Sequence, residues 1–76
     1  MIKELDIVVL TTDVPNEGLE RGDVGTVVHA YEDGQAFEVE FMALDGETAA
    51  VVTVESLQVR PVGRRDITHA REMGAR

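Results

Sequence analysis

The sequence predicts an all-β fold, a small five-stranded barrel, and three observations carry that expectation. Short β-branched runs alternate with turn formers along the whole chain. Asp33-Gly34 and Asp45-Gly46 each lie between two apolar runs, the strongest short-range hairpin signal. Residues 36–42 alternate apolar and polar with a period of two, the signature of a half-buried antiparallel strand.

The elements follow in order. A first strand is expected over Asp6 to Thr11, with Ile7 and Val9 on one face and Val8 and Leu10 on the other. Residues 12–21 are rich in turn formers, and Pro15 cannot donate a ladder bond, so they read as a long excursion loop anchored by Val14 and Leu19. The loop ends at a Gly22-Asp23-Val24-Gly25 turn whose two glycines supply positive φ, and Val24 to Tyr31 forms the second strand. On that strand His29 is expected to share a face with Val27 and Tyr31. Gly34 marks a primed turn into the third strand, Ala36 to Met42, where Phe37, Val39 and Phe41 face the core and Glu38 and Glu40 face water. Gly46 marks the next hairpin, followed by a strand from Thr48 to Val54. A single tight turn of 3-10 type at Glu55 to Gln58 precedes a last strand, Val59 to Val62. By analogy with the known order of such barrels, a long first loop, two tight hairpins and a one-turn helix before the last strand describe an SH3-like barrel over residues 1–62.

Residues 63–76 form a basic C-terminal tail. Two readings are open: a frayed tail, or a short helix from Ile67 to Met73, capped by Asp66 and stopped by Gly74. Ile67, Ala70 and Met73 would then make a narrow apolar stripe that needs a surface to dock on.

Charge and composition narrow the partner classes. At 76 residues the chain holds one domain at most, and with no cysteine it has neither disulfides nor thiolate metal sites. No signal-peptide pattern is present and the longest apolar run, Ile7 to Leu10, is too short to span a bilayer, so a cytoplasmic protein is expected. Residues 1–59 set Lys3 and Arg21 against thirteen acids, a formal −11, whereas residues 60–76 set five arginines against Asp66 and Glu72, a formal +3. An acidic body repels phosphate backbones, which disfavours nucleic acid and suits a basic partner or simple solubility.

Asp6-Ile7-Val8-Val9-Leu10, Pro15, Gly18-Leu19, Gly22 to Val28, Tyr31-Glu32-Asp33-Gly34, Phe37 to Phe41, Leu57 and Arg60-Pro61-Val62 together resemble a family of short bacterial proteins, domain of unknown function 4926. The resemblance covers nearly the whole chain. It implies an SH3-like fold, transfers no catalytic residue, and its small stand-alone members imply an accessory or antitoxin-like role. Gly22 to Val28 is also similar to the glycine-valine core of KOW-type domains of ribosomal and transcription-factor proteins. The nearby loops of such domains are commonly basic, and here they carry Asp13, Glu17, Glu20, Asp23, Glu32 and Asp33.

The sequence supplies no catalytic set and calls for no cofactor. It lacks a G-x-S-x-G elbow and a phosphate loop, and its sole serine, Ser56, lies in an expected turn. His29 reads as a half-exposed filler or as part of a weak divalent-ion site, and His69 sits in the tail. The pairs Glu32-Asp33 and Asp45/Glu47 flank hairpin glycines, where Asp serves turn geometry, and Glu38/Glu40 is the wet half of an alternating strand, so no metal site is assigned.

The two-sided apolar runs Ile7 to Leu10 and Val24 to Ala30 require a cover on the second face of the sheet: the excursion loop, the tail or another chain. The sequence thus favours a non-catalytic, SH3-like protein-interaction module that docks a protein partner or a second copy. Arg60, Arg64, Arg65, Ile67, Arg71 and Met73 are the candidate contacts. The alternative is an RNA- or ribosome-associated domain in which Arg60, Arg64, Arg65 and Arg71 contact the backbone.

Overall fold

The computed structural model describes residues 1–73, and its five strands are β1 (Ile7–Leu10), β2 (Val24–Ala30), β3 (Ala36–Met42), β4 (Thr48–Glu55) and β5 (Val59–Pro61). They form one antiparallel sheet in the order β4-β3-β2-β1-β5. One-turn 3-10 segments at Pro15–Glu17 and Ser56–Gln58 interrupt the first loop and join β4 to β5. Among the described residues no ladder joins β4 to β5, so the sheet is not closed by hydrogen bonds. No helix among them is long and apolar enough to cross a membrane.

The alternation of β3 builds the core. Phe37, Val39 and Phe41 are buried against Val27 of β2, Val52 and Val54 of β4, Val8 and Leu10 of β1, Val59 of β5 and Leu19 of the first loop. Burying one such side chain stabilises by about 1.5–3 kcal/mol before chain entropy is subtracted, so β3, paired on both sides, contributes what a larger domain spreads over helices. The first loop is held as expected: Val14 and Leu19 bond each other through both backbone groups at 2.9 and 3.2 Å, and Leu19 is buried.

Four expectations need correction. Gly22 does adopt positive φ (+95°), but Gly25 does not: it lies within β2, opposite Val8 and Phe41. A Cβ there would come within 2.6 Å of Val39 Cγ1 and 2.8 Å of the Glu40 carbonyl, so Gly25 is required for close strand approach rather than for a turn.

The two hairpins form where Asp-Gly places them, yet only the glycine of each pair has positive φ, Gly34 at +71° and Gly46 at +96°. Neither is therefore a primed turn. Asp33 and Asp45 instead accept the amides of Gln35 and Glu47 through their carboxylates, at 2.9 and 3.0 Å, the Asx geometry of longer loops.

A β-bulge at Val28 shifts the register between Val27 and His29. His29 consequently sits opposite Glu38 on the solvent face with Tyr31, away from the buried Val27. The bulge also turns Ala30 toward the core, where it packs at the margin.

Residues 67–73 are not helical. The Asp66 carboxylate, which would cap the helix in one of the two open readings of the tail, accepts the Gly63 amide and both Nη groups of Arg60, closing a Gly63–Asp66 turn instead. The expected stop signal Gly74 lies outside the described residues.

Candidate functional site

The second face of the sheet carries the candidate site, and the ladders fix its rows. Arg60, Val9 and Val24 face each other across β5, β1 and β2, and Met42 continues the line at the end of β3. Ile7 stands opposite Thr26, with the Val62 amide bonded to its carbonyl, in the next row. Val9 is buried yet lies outside the core cluster, so this face makes a second, shallower apolar layer. Above it opens a groove of about 1170 Å³, walled by the Met42–Leu44 end of the second hairpin on one side and by residues 66–73 on the other. Leu44 is 83% exposed and Ile67 90% exposed, and both line the groove with Ile7, Val24 and Val62. Side chains of this kind gathered in one concavity make a continuous apolar patch rather than scattered surface apolarity.

Two ion pairs hold the tail along one side of the groove. Arg60 Nη1 and Nη2 donate to the two Asp66 oxygens at 2.9 and 3.0 Å, and Arg60 with the Gly63 amide holds the Asp66 carboxyl well below the usual range, at about 2. Further along, Arg71 Nε and Nη2 donate to Asp23 at 2.9 and 2.6 Å, and Nη2 also donates to the Gly18 carbonyl at 3.1 Å. Partial burial pushes the Asp23 carboxyl up, but the Arg71 guanidinium and the Glu20 amide outweigh it and the net shift is downward. The Met73 side chain comes to rest against Gly18 of the excursion loop.

Of the six residues expected as partner contacts, Arg60 and Arg71 are engaged within the chain, and Met73 is half-covered by the first loop. Ile67 projects at the groove, while Arg64 and Arg65 occupy the exposed Gly63–Asp66 turn with no ion pair among the described residues. Gly22 and Asp23 line the same groove. Sequence reasoning missed that Asp23 and Asp66 are acceptors for tail and strand arginines. The signal was present as opposite net charges on body and tail, which attract without saying which pairs meet.

The same outward face, further along β2, β3 and β4, holds a polar cluster, with Ile7, Thr26, Glu40 and Val51 standing in one row across it. Tyr31 donates its hydroxyl to Glu38 at 2.7 Å, Thr53 donates to the same carboxylate, and Thr48 donates to Glu40. The Thr53 and Tyr31 hydroxyls hold the Glu38 carboxyl below its ordinary value, and Glu38 in turn raises the Tyr31 phenol. His29 packs edge-on against Tyr31 at 4.6 Å, with Glu4 3.6 Å from its Nδ1. Among the described residues no three His, Cys, Asp or Glu side chains are grouped to share a metal ion. The Ser56 amide is bonded to the Gln35 carbonyl in the turn after β4.

A five-stranded antiparallel sheet, an anchored first loop, and an apolar second face strapped by the chain's own C-terminal segment define a small all-β domain built around a surface groove. The chain belongs to the family described as Domain of unknown function (DUF4926), which it matches over residues 4–61. No curated protein and no solved structure matches it.

Proposed function

We propose that this chain is a non-catalytic, SH3-like protein-interaction module, an accessory or antitoxin-like partner of another gene product. The strand order, with β1 between β2 and β5, and the single 3-10 turn before β5 support the SH3-like reading. The observation that carries the functional one is the groove in which Ile7, Val24, Leu44, Val62 and Ile67 are exposed together. Its rim bears Asp45, Glu47 and Glu72, while Arg60 and Arg71 are neutralised by Asp66 and Asp23. The fitting partner is a protein segment with apolar anchors flanked by basic residues.

Leu44→Asp and Ile67→Asp test this reading, because both side chains are exposed and neither supports the core. The wild-type chain retains a different protein as partner from its native lysate, and the two variants lose it while keeping their melting temperature. Equal retention by wild type and variants, or retention of nothing by the wild type, rejects the groove as a binding surface.

A further inference from the structure

The two edges of the sheet differ in their backbone chemistry. On β5 the bond from Val62 N–H to the Ile7 carbonyl sets the ladder phase, so Arg60 bonds inward to Val9 while Pro61 turns outward. Proline has no N–H to offer, and its carbonyl accepts a bond from Arg60 Nη1 at 3.1 Å. With only three residues and no free donor at its centre, β5 is a sealed edge.

β4 is the reverse. Ser56 N–H donates to the Gln35 carbonyl at 2.9 Å, and with Ala36 opposite Glu55 this phase makes 37/54, 39/52 and 41/50 the bonded pairs. Val51, Thr53 and Glu55 therefore point their backbone groups away from the sheet. The Glu55 amide is taken by Gln58 Oε1 at 2.7 Å, and among the described residues the N–H and C=O groups of Val51 and Thr53 are left unpaired at the edge. Residues 48–54 contain no charge, proline or glycine, three of the devices by which edge strands are guarded, and the one bulge, at Ala49, lies at the start of the strand away from Val51 to Thr53.

We propose that β4 pairs antiparallel with β4 of a second copy, about a two-fold axis at Val52, so that Val51 of each chain exchanges backbone bonds with Thr53 of the other. A second copy fits because residues 48–54 are self-complementary and uncharged in a chain of net charge −8. Of the solvent-facing acids, Glu55 ends the strand three residues from the axis, and Glu38 and Glu40 lie one strand inward, bonded by Thr53 and Thr48. Across the joint the two β3 strands stand three spacings apart, about 14 Å, which exceeds the Debye length of about 8 Å at physiological salt. The joint is centred on Val51 to Thr53, none of which lines the groove, so the two proposals are tested separately.

Edge pairing of this length is smaller than a standard interface, so association is expected between about 10 μM and 1 mM chain. Sedimentation at 0.15 M salt, roughly physiological, should show the mass rise from 8.3 kDa toward twice that value over this range. Val51→Pro removes an outward N–H without touching the β3 ladder, and Val51→Lys sets like charges at the axis. Both are expected to stay monomeric with unchanged β-sheet circular dichroism, and Leu44→Asp is expected to dimerise as the wild type does. Hydrogen exchange gives an independent readout should a Val51 variant misfold: the Val51 and Thr53 amides of the wild type gain protection as concentration rises. A wild type that remains at 8.3 kDa throughout, a dimer that both folded variants retain, or protection of those amides that does not change with concentration overturns the proposal.

Discussion

Arg71 grips Asp23 across 48 residues of sequence, with Nε and Nη2 each donating to one carboxylate oxygen, at 2.9 and 2.6 Å. The two side chains are 27% and 18% exposed, so this pair is screened less than a surface bridge, and it is the contact that lays the tail along the groove. Arg71→Ala should cost about 1 kcal/mol in urea unfolding and speed tryptic cleavage at Arg64 and Arg65. A double-mutant cycle with Asp23→Ala should return a coupling of about 1 kcal/mol; losses additive within about 0.3 kcal/mol would mean the pair does not couple tail to loop.

Gly22, in the turn, and Gly25, within β2, should respond differently to alanine. At Gly22 a Cβ meets open space and the penalty is positive φ alone, about 1 kcal/mol. At Gly25 it meets the Glu40 backbone as well as Val39 and Phe41, and backbone cannot rotate away, so about 3 kcal/mol is expected. Chemical denaturation of Gly22→Ala and Gly25→Ala checks the ranking, and equal losses would contradict the close-approach account.

These glycines also mark where sequence stops informing. β3 coincides with its expected span because a period of two is written in consecutive residues, and the hairpins are placed by Asp-Gly pairs that act over four residues. What Gly25 must avoid is set by Val39 and Glu40 on another strand. The bulge at Val28 is likewise a property of two strands at once, so His29 could not be assigned a face from its own neighbours. The same limit governed the site: Arg60 and Arg71 are evident as cations, but their acceptors are chosen by the path of the tail.

Leu5 is the one non-glycine residue with positive φ among those described, at +76°, and its side chain is 79% exposed. Its amide donates to the Val27 carbonyl at 2.7 Å, and the neighbouring Asp6 carboxylate accepts the Lys3 amide, so the strained turn is held by the bonds that start β1. Leu5→Gly relieves a strain of about 1–2 kcal/mol at the cost of a more flexible unfolded chain, leaving a gain of roughly 0.5 kcal/mol. A melting temperature that falls would mean that the Leu5 side chain contributes packing its exposure hides.

The Arg60–Asp66 pair sets an acid-side limit on the tail's attachment. A carboxyl held at about 2 in the fold but near its ordinary value, about 4, in the unfolded chain contributes stability that is complete above that ordinary value. Because the folded value is the lower one, the contribution is lost as pH falls from about 4 toward 2, and raising the pH above neutrality leaves it intact. Asp23, also shifted downward, reinforces the same direction at the other anchor. Carbon-detected NMR titration should place the Asp66 midpoint near 2 in the wild type and return it toward the ordinary range in Arg60→Gln, with the Gly63 amide shift following the same curve. An Asp66 midpoint that ignores the loss of Arg60 would assign the shift to the Gly63 turn alone and release β5 from any part in holding the tail.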